Sequence, residues 1–160
     1  MTLDDILRQK LADWQAAGRQ TLTVSDQESG WTVELTADRA DQVGCLVWEM
    51  TLRRAAPPAG DAPSLRDWAA RIARRVTGLL EPLKVIEVDL PRGEALLRSD
   101  EPAHRGDDLF YYEVVLRGAR EANVRRYHGA RPPNARRKQV SFALTHEAIA
   151  KLAFDLTADK

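Results

Sequence analysis

Cysteine is nearly missing from these 160 residues: Cys45 stands alone. An internal disulfide is therefore excluded, and the chain is expected to fold without covalent staples in a reducing compartment. Long apolar runs are missing too, and none approaches the roughly 18 residues of a membrane-spanning helix. The opening Met1-Thr2-Leu3-Asp4-Asp5 is acidic and helical in pattern, unlike the basic start and unbroken apolar stretch of a secretory signal. These absences predict a cytoplasmic protein without membrane attachment.

Chemical motifs are equally sparse. The three histidines, His104, His128 and His146, have neither histidine nor cysteine at ligand spacing. His104 lies among Asp100, Glu101, Asp107 and Asp108, a composition that reads as a solvated acidic loop without the fixed spacing of a calcium site. Cys45 sits between Gly44 and Leu46 in a strand-like stretch, where a cysteine acts as a small inert hydrophobe. The glycines are isolated at turns, so no phosphate-cradling loop and no Gly-x-Ser-x-Gly elbow occurs. No cofactor, no metal and no enzymatic activity is expected.

What is present is a soluble composition, 44% apolar and 30% charged. A chain of this length makes one domain and buries roughly 70% of its unfolded surface. Net charge is zero but segregated. Residues 1–50 carry nine acids against four bases, 51–80 two against six, 81–116 nine against four, and 117–138 one against eight. A neutral protein so arranged can still present a basic patch.

Periodicity supplies the elements. Thr2 caps a helix whose apolar face is Leu3, Ile6, Leu7, Leu11 and Trp14, with Gly18 as its stop. Thr21–Ser25 and Trp31–Ala37 read as a hairpin around Asp26-Gln27-Glu28-Ser29-Gly30. A third strand runs from Val43 to Arg53, apolar on both sides, as if covered on both faces. After the proline-bearing loop Ala55–Pro63, Ser64 caps a helix burying Leu65, Trp68, Ile72, Val76 and Leu79, with Pro82 as its end. Strands follow over Lys84–Leu90, Glu94–Arg98, Leu109–Leu116 and Ala122–His128, then Gly129–Arg137 as a loop. Val140, Phe142 and Leu144 make a last strand, and Thr145 caps a final helix.

The order α-βββ-α-βββββ-α, with hairpin-length connections, predicts a single α+β domain: one antiparallel sheet with three helices packed on it. This order resembles that of type III secretion chaperones and the related YbjN-type proteins. The likeness is carried by the Leu3–Trp14 helix, the Thr21–Arg53 meander, the Ser64–Leu80 helix and the strands closing on the Thr145–Leu156 helix. The second half holds two strands beyond that pattern. The resemblance implies a non-enzymatic, chaperone-like domain that binds a protein partner, either another chain or itself as a homodimer.

One segment suggests a binding surface. Arg125, Arg126, Arg131, Arg136, Arg137 and Lys138 fall within the basic 117–138 stretch, and arginine can clamp carboxylate or phosphate through two parallel bonds. The neighbouring Phe110-Tyr111-Tyr112 could offer aromatic faces for stacking bases. A nucleic-acid or phosphate-binding module is therefore the alternative to the protein-binding reading. Core packing of the aromatics and internal pairing of the arginines would remove its basis.

Overall fold

The computed structural model describes residues 1–55, 64–130 and 136–158. Thr2 opens α1 (Leu3–Asp13), its hydroxyl and amide both donating to Asp5 at 2.7 and 3.2 Å. The helix closes at Asp13, short of Gly18. Ala16 exchanges two backbone hydrogen bonds with Ala40 (2.9 and 3.1 Å), which draws the chain into the sheet before the helix can continue.

The meander comprises β1 (Gln20–Ser25), β2 (Trp31–Ala40) and β3 (Gly44–Arg54). Gly30, at φ 80°, permits the turn between the first two. β3 is not covered on both sides. The register against β2 shifts twice, leaving Trp48 and Asp38 without direct partners. The resulting bulge reverses the alternation, so Cys45 and Val47 turn to the same buried side as Met50 and Leu52.

Ser64 caps α2 (Leu65–Arg75), its hydroxyl accepting from the Asp67 amide at 3.1 Å. The helix ends at Arg75, well before Pro82. Val76 adopts extended backbone and stays buried, a conformation that suits a β-branched side chain. Trp68 is 3% exposed and its indole nitrogen donates to the Leu156 carbonyl at 3.0 Å, tying α2 to the last helix.

The second half contains β4 (Leu83–Asp89), β5 (Glu94–Ser99), β6 (Ala103–Arg105), β7 (Asp108–Arg117) and β8 (Glu121–Ala130). β6 lies within what the sequence suggests is only a polar loop; its three residues pair with the start of β7. Then come β9 (Lys138–Val140), β10 (Phe142–Thr145) and α3 (His146–Thr157), capped by Thr145. Every strand pairing is antiparallel, in the order β1-β2-β3-β8-β7-β5-β4. The domain is α+β, with three helices and one large open antiparallel sheet.

β3 and β8 pair only over Met50–Arg53 and Glu121–Val124. Beyond that they part, and the gap is filled by β9 on β8 and β10 on β3. The junction is tight at Gly44, where a β-carbon would collide with the Leu144 carbonyl oxygen. α1 and α3 pack together over the β1–β3 side, while α2 lies on β4 and β5. The core between helices and sheet includes Leu7, Leu35, Leu52, Ile72, Leu97, Leu116, Ile149 and Leu156, all essentially inaccessible. Among the described residues no helix covers the opposite face, and none is long and apolar enough to cross a membrane.

Candidate functional site

Alternation along the strands sends polar residues to the helix-free face, and register then sets them side by side. Arg53, Glu121, Arg117 and Glu94 lie directly opposite one another across β3, β8, β7 and β5. This is a row of alternating charge. Glu121 receives Arg53 at 2.6 Å and Arg117 at 2.9 Å, and Arg117 approaches Glu94 at 3.8 Å. Arg53 also reaches Glu34 on β2 at 2.5 Å.

Two residues along each strand lies a nearly uncharged row, Thr51, Asn123, Val115 and Leu96. Asn123 donates to Thr51 at 2.9 Å and to Glu49 at 3.2 Å. A further step brings a second charged row, Arg125, Glu113 and Arg98. Arg125 turns to Glu49 (2.8 Å), and Arg98 meets Glu113 at 3.0 Å. Arg137 arrives from just before β9, stacks 3.8 Å over the Tyr127 ring and donates to Glu113 at 2.5 Å. The result is a trough of about 330 Å³ with a neutral floor between two charged rims.

Pairing favours the ionised form of Glu121, Arg125 and Arg137. The Arg53 hydrogen bond holds the Glu121 carboxyl below its ordinary range. Glu113 stabilises the Arg137 guanidinium, and Tyr127 followed by Glu49 does the same for Arg125. Each cross-strand ion pair contributes modestly, roughly 0.2–1 kcal/mol. Together they define a surface whose charges are already answered.

The basic residues singled out in the sequence do not form one patch. Arg125 and Arg137 belong to the open face. Arg126 points the other way, into the helix-covered side, where it pairs with Glu81. Arg136 and Lys138 are exposed, and Arg131 lies outside the described residues. The aromatic run divides likewise. Tyr112 is buried against Phe142, Phe110 stacks on His128 at 4.7 Å, and Tyr111 faces Tyr127 across the open side at 5.9 Å.

Metal and nucleophile chemistry find little to build on. Among the described residues no three His, Cys, Asp or Glu side chains gather as a metal site. His128 bonds Asp108 at 2.9 Å, His146 bonds the Asp41 carbonyl at 3.0 Å, and His104 is exposed on β6. Cys45 is 4% exposed and burial pushes its thiol up to about 11. The sequence does not single out Arg53, Arg98, Glu49 or Glu113, and it holds Arg117, Glu121 and Asn123 only as members of the basic 117–138 stretch. Their period of two along each strand marks a polar face, but only strand register makes rows of them.

Compared with known proteins, the chain matches no family model, no curated protein and no solved structure.

Proposed function

We propose that this chain is a non-enzymatic, chaperone-like domain that binds another protein across the open face of its sheet. One observation carries the reading: the face is broad, is covered by no helix among the described residues, and is lined by arginines and glutamates that alternate and pair. A polypeptide of mixed charge can exchange its own side chains into such pairs without leaving either sign unanswered. A polyanion must displace the glutamates from the arginines and then face them. The depressed Glu121 carboxyl also suits recognition better than proton transfer, for which a group titrating near neutrality is wanted. The opening helix, three-stranded meander and second helix, which resemble those of secretion chaperones, support the same class.

The reading is tested by purifying the tagged chain from its native host, with and without nuclease treatment. A discrete protein partner that survives nuclease, and is lost when Val115→Arg fills the floor of the trough, is the expected result. Nucleic acid retained in place of protein, weakening steeply with salt, would favour the alternative module.

A further inference from the structure

The two edges of the sheet differ in chemistry. β1 exposes Gln20, Thr21, Thr23 and Ser25. β4 exposes Val85 and Ile86, at 37% and 43%, with Leu80 and Leu90 exposed just beyond its ends. Among the described residues no strand pairs with the outer side of β4. An edge with exposed aliphatic side chains and unanswered backbone groups is a template for another strand.

The register of β4 says which strand fits. Val85 opposes Leu97 and Glu87 opposes Leu96, so Ile86 is an extra residue that breaks the alternation. Lys84 and Glu87, three apart, therefore sit on the same face, opposite Arg98 and Leu96. Leu83 and Val88 share the other, opposite Ser99 and Ala95. In an unbulged strand residues three apart point to opposite faces.

This arrangement is self-complementary. Two β4 strands related by a two-fold axis at the bulge run antiparallel. Lys84 of each then faces Glu87 of the other, and Leu83 faces Val88, around a centre of Val85 and Ile86. Among the described residues Glu87 makes no side-chain bond within its own chain, and Lys84 has a half-exposed approach to Asp100 at 3.6 Å. We propose that a second copy of this chain pairs with β4 edge to edge, held by reciprocal Lys84–Glu87 ion pairs and the Val85–Ile86 contact. The assembly joins two sheets and makes one continuous surface of their open faces.

The test is charge exchange at exposed positions, read by sedimentation velocity from about 1 to 100 µM, where a tenfold change in Kd corresponds to about 1.4 kcal/mol. The native chain is expected to dimerise. Lys84→Glu and Glu87→Lys each set like charges together twice and should weaken dimerisation at least about tenfold. Mixing those two variants should restore association as a heterodimer, and the Lys84→Glu/Glu87→Lys double variant should dimerise like the native chain. A native-like far-UV circular dichroism spectrum and a cooperative melt establish that each variant is folded, whatever melting temperature is lost with the dimer. A native chain monomeric throughout, as it would be if the edge served only foreign strands, overturns the proposal. So does a dimer indifferent to the exchanges. None of these positions lines the trough, so Val115→Arg should leave dimerisation intact and the two readings fail separately.

Discussion

Arg126 meets Glu81 in a two-pronged ion pair, 2.9 and 3.2 Å, with both side chains more than nine-tenths buried beneath the helices. Ser99 donates to the same carboxylate at 2.9 Å while accepting from the Tyr112 amide, and the guanidinium lies 4.2 Å over the Tyr112 ring. The pair locks the segment after α2 to the middle of the sheet. Removing one partner strands a buried charge. Glu81→Ala should therefore cost roughly 3–5 kcal/mol, whereas the double change Arg126→Met/Glu81→Leu should cost less than either single one. Urea unfolding of the three variants checks this, and additive losses would contradict it.

Gly44 is required by contact, since its φ is not in the left-handed region. Gly44→Ala would drive a methyl group into the Leu144 backbone, which cannot yield without moving β10. A loss of about 1–3 kcal/mol is expected. Gly18→Ala, with nothing within 4 Å of the added carbon, is the control and should be neutral within about 0.5 kcal/mol. Equal melting temperatures for the two variants would place the strand junction wrongly.

Glu121 gives the open face a pH signature. Its carboxyl is held below the ordinary value of about 4.3 by Arg53, so the folded state binds its proton less readily than the unfolded chain. The stability it contributes is full above that ordinary value and is lost as pH falls through the depressed one. Glu121→Gln should therefore be less stable than the native chain at neutral pH, and the difference should shrink as pH falls below the ordinary carboxyl range. A difference that stays constant across that range would mean the Arg53–Glu121 pair adds nothing.

Much of the architecture was legible in the sequence because its signals are local. Thr2, Ser64 and Thr145 all cap helices, and the Asp26–Gly30 turn stands where turn chemistry puts it. The misreadings arose where pairing overrides pattern. Trp48 is a bulge only because β2 holds β3 in a shifted register, and that bulge gathers Cys45, Val47, Met50 and Leu52 on one face. The site was harder still. Arg125 and Arg126 must point apart in any strand, but Glu49 and Glu81, their partners, lie 76 and 45 residues away. A run of basic residues in sequence thus became two separate sets of ion pairs in space.

The open face as the docking surface is tested most directly by site-specific photocrosslinking in the native cell. A photoreactive phenylalanine replaces Val115, on the floor of the trough, or Ala12, exposed on the outside of α1. Crosslinking of one identified protein from position 115, reproducibly and not from position 12, is the predicted result. Crosslinks to nucleic acid, to no macromolecule, or equally from both positions would contradict it.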